Sequence, residues 1–153
     1  MNSGGSVHWG LFVRQGVAFI PTSAKTEAGF YLDIEPVEIA EIVDTLSFRE
    51  ALKSALLRGN PKVPTPRRED YGKSPVIKYA KVRSWAQMEK ESSFWGITED
   101  HGNYQFGVYK RRSDRGWEED PTQVVNLPPD LTVDEDAKRI VEAVQLSATR
   151  PSG

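Results

Sequence analysis

Phe94-Trp95-Gly96-Ile97-Thr98, then Asp100-His101-Gly102-Asn103, then Tyr104 to Arg111 set the fold class. The flanking runs are rich in aromatic and β-branched residues, and the segment between them is polar and carries a glycine. This is the signature of two antiparallel strands joined by a tight turn. Tyr104, Phe106 and Val108 share one face at a period of two, as a buried sheet face requires. Gln105, Tyr109 and Arg111 fall on the other.

The same pattern recurs upstream. Residues 9–43 read as a long β-hairpin. Val13, Val17, Phe19 and Ile20 form one arm, and Phe30, Leu32 and Ile34 the other. Pro21-Thr22-Ser23-Ala24-Lys25-Thr26-Glu27 is the expected loop. Pro36 lacks a ladder donor and belongs at an edge, a bulge or a break. Val76 to Ala80 reads as a further strand, and Thr122 to Leu127, closed by Pro128-Pro129, as one more.

Helices are announced by their caps. Ser47-Phe48-Arg49-Glu50 has the form of a capping box, and Phe48, Leu52, Ala55 and Leu56 recur on one helical face. Arg58, Gly59 and Pro61 then end the helix. Ser84-Trp85-Ala86-Gln87 opens a shorter one. Thr132-Val133-Asp134-Glu135 opens a third, with Val133, Ala137, Ile140, Val141 and Val144 forming its apolar stripe. Hairpin runs with interposed helices predict an α+β fold: a largely antiparallel sheet with about three helices, near 48–58, 85–91 and 133–147. The length of 153 residues suits one domain. Pro61-Lys62-Val63-Pro64-Thr65-Pro66-Arg67-Arg68 must run extended. It reads as a semi-rigid connector that would allow a two-part organisation, with an SH3-type ligand as the minor alternative. The small polar ends, 1–6 and 148–153, are expected to fray.

Composition removes many chemistries. With no cysteine, disulfides, thiolate-bound zinc and cysteine nucleophiles are excluded, and two histidines leave little for a histidine-rich metal site. The phosphate-binding, zincin, hydrolase and EF-hand motifs are absent. His8 lies near a terminus and His101 in a turn. The Asp33/Glu35 pair has a spacing that can present two acids together, although alternation on a half-exposed strand accounts for it. No secretory leader and no apolar run long enough to span a bilayer is visible, so the expectation is a cytoplasmic protein without a membrane partner or cofactor.

The formal charge of −2 conceals strong segregation. Residues 27–45 carry six acids and no base. Residues 47–90 carry eleven Lys/Arg against four acids, and residues 113–136 eight acids against Arg115. Either these segments lie side by side and neutralise, or one forms a separate field that steers a charged partner. Two surfaces stand out. Asp114, Trp117, Glu118, Glu119 and Asp120 combine an aromatic anchor with acids suited to a basic protein. Trp117 folded onto the core, or carboxylates holding a divalent cation, are the other readings of that run. Tyr109, Lys110, Arg111 and Arg112 mix an aromatic with bases suited to single-stranded nucleic acid.

The arrangement of Lys78-Tyr79-Ala80-Lys81-Val82-Arg83-Ser84-Trp85, Phe94-Trp95-Gly96-Ile97, Tyr109-Lys110-Arg111-Arg112 and Gly116-Trp117-Glu118-Glu119-Asp120-Pro121 resembles the small bacterial immunity proteins of contact-dependent growth inhibition systems. The resemblance covers roughly the second half of the chain and carries over no binding residues. It implies a cytosolic, non-catalytic protein that neutralises a toxin domain, often a nuclease, by tight binding. A single-stranded nucleic-acid-binding module is the alternative expectation, and a carboxylate-based enzyme a further one.

Overall fold

The computed structural model describes residues 6–68, 74–114 and 116–149. The ends beyond these, together with Glu69, Asp70, Lys73 and Arg115 of the charged segments, lie outside the described residues. Among the described residues eight strands form one sheet: β1 (Val7–Arg14), β2 (Val17–Thr26), β3 (Tyr31–Glu41), β4 (Lys62–Val63), β5 (Ser93–Asp100), β6 (Asn103–Arg111), β7 (Trp117–Glu119) and β8 (Val125–Asn126). The helices are α1 (Thr45–Arg58), α2 (Pro75–Ala80), α3 (Trp85–Glu91) and α4 (Val133–Thr149). The strand order is β3-β2-β1-β5-β6-β7, with β8 also on β6. All pairings are antiparallel except that of β4, which runs parallel to the end of β2. The predicted α+β architecture is therefore the observed one.

Several local expectations change. Residues 9–43 hold two turns rather than one. Gln15 and Gly16, both at positive φ, join β1 to β2. The β2–β3 turn falls at residues 27–30, while Pro21 to Thr26 continue strand β2. Pro21 is tolerated because the ladder is already interrupted there: the register with β3 jumps from Pro21↔Val37 to Thr22↔Ile34. Glu35 and Pro36, joined by a cis peptide, form the resulting bulge, and the Thr22 hydroxyl donates to the Pro36 carbonyl. Val76 to Ala80 is helical, not extended. Ser74 caps Val76 and Pro75 occupies the first turn, a start signal that outweighs the β-branched pair Val76-Ile77. Thr122 to Leu127 is mostly not strand: a 3₁₀ turn over Pro121–Gln123 precedes the two residues of β8.

Helix α1 starts earlier than Ser47 suggests. Its N-cap is Asp44, whose carboxylate accepts from the Ser47 amide at 3.1 Å, so Ser47 lies inside the first turn. Asp44→Ala should cost about 1 kcal/mol of unfolding free energy and Ser47→Ala much less, as for N-caps generally. Urea denaturation of the two variants checks this, and the reverse order would restore Ser47 as the cap. The other two caps are as expected. Ser84 accepts from Gln87, and Thr132 and Glu135 bond reciprocally at 3.0 and 3.2 Å.

The sheet separates two apolar layers. On one face α1 and α4 bury Phe48, Leu52, Ile140, Val141 and Val144 against Trp9, Leu11, Ile20, Trp95 and Ile97. On the other, α2 and α3 pack Val76, Ala80 and Met88 on Phe12 and Phe19. Between β1 and β2 the sheet opens. Their pairing ends at Phe12↔Phe19, and the Asn60 side chain fills the gap. Its carbonyl oxygen accepts from the His8 amide at 2.9 Å, and its Nδ2 donates to the carbonyls of His8 and Ser23 at 2.7 and 2.8 Å. Arg58, two residues earlier, joins Glu38 at 2.6 Å and the Thr22 hydroxyl at 3.1 Å.

One buried acid opposes this packing. Asp136 is 2 % exposed, and its Oδ1 has no hydrogen-bond partner among the described residues. Burial, reinforced by Glu135 and opposed by Arg139, lifts its carboxyl to about 6. The folded state thus retains a proton that the unfolded chain has released between about pH 4 and pH 6, so stability falls as pH rises through that window. Asp136→Asn, which cannot ionise, should therefore be more stable than the parent at pH 7.5, by up to about 3 kcal/mol, the linkage value for a carboxyl lifted from 3.8 to about 6. The advantage should vanish by pH 4; a pH-independent difference in denaturation midpoint would refute the assignment.

Candidate functional site

Strand register brings together what the sequence keeps apart. Gly10, Gly96 and Gly107 are directly paired across β1, β5 and β6, on the face opposite Trp9, Ile97 and Phe106. On one side of this row run Phe12, Phe94 and Tyr109, and on the other His8, Thr98 and Gln105. The aromatics lean across the glycines. A Cβ on Gly10 would meet the Phe94 ring at 2.8 Å, and one on Gly96 the Tyr109 ring at 2.6 Å. Over Gly107 lies backbone instead, with the Gln123 carbonyl oxygen at 2.8 Å. Glycine is required here so that rings and chain can approach the sheet.

Helices α2 and α3 cover only part of this face, leaving a cleft of two adjoining cavities. One, of about 470 Å³, is lined by Tyr31, Asp33, Trp85, Phe94 and Trp117 among others. The second, of about 580 Å³, is lined by Asp100, Asn103, Gln105, Asn126 and Glu119 among others. His8, Thr98 and Tyr109 line both. Among the described residues, the charged side chains lining the two cavities are the carboxylates of Asp33, Asp100 and Glu119, with no lysine or arginine. His8 meets Tyr31 edge to face at 5.1 Å, and partial burial, helped by Lys25, pushes its imidazole below its ordinary value. Burial and the neighbouring Glu119 push the Tyr109 phenol up.

The two surfaces marked in the sequence turn out to be one ribbon. Strand β7 pairs with the end of β6, setting Glu119 opposite Tyr109, Glu118 opposite Lys110 and Trp117 opposite Arg111. Arg112 is held by Asp114 through two hydrogen bonds at 3.0 Å. Acids and bases therefore alternate across the ribbon instead of forming separate fields. Trp117 folds back onto the core, its ring 5.1 Å from Phe94 and 5.8 Å from Phe12. Asp120 caps the 3₁₀ turn through Thr122. Among the described residues no group of three or more His, Asp or Glu side chains is arranged to hold a metal ion.

Charge segregation along the chain is partly undone by folding. Lys78 meets Glu35, Arg58 meets Glu38 and Lys53 meets Asp134, so the basic middle is tied to both acidic segments. Asp33 and Glu35 do project on one face, but toward α2. Asp33 accepts from Ser74 at 3.0 Å, and its carboxyl is pushed up by burial. Glu35 accepts from the Tyr79 hydroxyl and from Lys78, which hold its carboxyl below the usual range. What the sequence reading missed is the cleft itself, because His8, Thr98 and Gln105 become neighbours only through the register of three strands.

No family model and no curated protein matches the sequence. Among solved structures, the chain is similar to a protein of unknown function, NMB0488 from Neisseria meningitidis. That match has a TM-score of 0.64 and 16 % identity over 98 % of this chain and 99 % of the other. It is also similar to a chain of the CdiA-CT/CdiI toxin and immunity complex from Yersinia pseudotuberculosis. There the TM-score is 0.58 and the identity 14 %, over 95 % of this chain and 98 % of the other. At these identities the likeness is one of fold. Among the described residues no helix is long and apolar enough to cross a membrane.

Proposed function

We propose that this chain is a non-catalytic, protein-binding inhibitor of the immunity type, acting in the cytoplasm on a toxin domain with a basic surface. The observation that carries the reading is the end-to-end likeness in fold to a component of a toxin and immunity complex. A cleft whose described lining is carboxylates, aromatic rings and uncharged polar groups, with no lysine or arginine among those described residues, suits a basic partner. The single-stranded nucleic-acid alternative has less support, since Lys110 faces Glu118 and Arg112 is bonded to Asp114.

Deleting the gene while its neighbouring genes are retained should arrest growth, and expression of this chain in trans should restore it. Affinity purification should recover the toxin domain. Unimpaired growth together with no recovered partner would sink the proposal. Retention of single-stranded oligonucleotides that falls with salt and with Arg111→Glu would favour the alternative.

A further inference from the structure

The cleft over the paired glycines carries the furthest inference, which deepens the proposed inhibitor role and rests on it. We infer that this cleft is a receptor for an arginine side chain presented by the protein partner, with Glu119, Tyr109, Gln105 and Thr98 receiving the guanidinium.

Spare bonding capacity is the first argument. Among the described residues the side chains of Thr98, Gln105, Tyr109 and Glu119 make no hydrogen bond or ion pair within the chain, although all four line the same cavity. Asp33 and Asp100, the other carboxylates of the cleft, are engaged by Ser74 and His101. Glu119 thus has its full accepting capacity available, and register puts it directly opposite Tyr109.

Geometry then selects among cations. The four acceptors come from three adjacent strands, β5, β6 and β7. A guanidinium presents five donors in a planar fork and can engage several spread acceptors at once, whereas an ammonium is a compact point charge. Aromatic rings bordering the acceptors add favourable stacking for a planar cation. Within the chain itself Lys25 already lies 5.9 Å from the Tyr31 ring centre, at the cleft's margin. Anionic groups would face carboxylates with no lysine or arginine among the described lining residues, and an apolar side chain would strand the four polar groups without water.

The test uses the full chain and the peptide Ac-Gly-Arg-Gly-NH2, with its citrulline isostere as the uncharged control. In an NMR titration, arginine peptide should shift the Thr98, Gln105, Tyr109 and Glu119 resonances. Citrulline peptide should bind at least fivefold more weakly. Glu119→Gln, an exposed change, should weaken arginine-peptide binding at least threefold, while Glu27→Gln should not. Shifts located elsewhere, or equal binding of the two peptides, would overturn the arginine receptor. Growth protection by the parent chain separates the outcomes. Protection without peptide binding removes this inference alone, and peptide binding without protection removes the inhibitor role alone.

Discussion

Asn60→Ala should destabilise the protein by about 3 kcal/mol, at roughly 1 kcal/mol for each of three hydrogen bonds lost without replacement. Its side-chain amide stands in for a strand residue where β1 and β2 part, bonding the His8 amide, the His8 carbonyl and the Ser23 carbonyl. No neighbouring backbone takes over those groups. Asn60→Asp should be at least as harmful, because it removes both donors and sets a carboxylate oxygen against two carbonyls. Denaturant midpoints at a constant slope measure both effects. A loss below 1 kcal/mol for Asn60→Ala would show that water or β4 closes the gap unaided.

Gly107→Ala should cost about 2–3 kcal/mol, the upper part of the range for overpacking. The new methyl would lie 2.8 Å from the Gln123 carbonyl oxygen and 3.2 Å from the Val124 Cα, both backbone atoms. To make room, the whole crossing from β7 to β8 must lift off the sheet. For a chain of this length the melting temperature should fall by roughly 2–4 °C per kcal/mol. Gly96→Ala is the instructive comparison. Its obstruction is the Tyr109 ring, which can swing aside, so its stability cost should be smaller. Equal losses at the two positions would show that the crossing is as compliant as a side chain.

How much of this could be read from the sequence depends on the range of each signal. Short-range chemistry was legible. The turn at His101-Gly102, the reciprocal cap of Thr132 and Glu135 and the apolar stripe from Phe48 to Leu56 all depend on residues a few positions apart. Misreadings came from competing local signals. Asp44 and Ser47 are both competent caps three residues apart, and only the helix's actual phase decides between them. Val76-Ile77 favours extended chain, yet Ser74-Pro75 sets a helix that buries Val76 completely. The long-range part was not legible. Gly10, Gly96 and Gly107 look like isolated glycines until three strands align them. Likewise Tyr109 and Glu119, read as members of rival surfaces, are opposite one another on a single ribbon.

The unequal covering of the two sheet faces divides the chain's tolerance to change. Substitutions beneath α1 and α4 alter a continuous core, so their effects are paid in abundance. The residues of the half-covered face around Thr98 and Gln105 carry little of the packing, so exchanging them leaves the scaffold folded. If the cleft is the recognition surface proposed above, a lineage under pressure to match a changing partner can rewrite its specificity one cleft residue at a time, with no compensating repair elsewhere in the molecule.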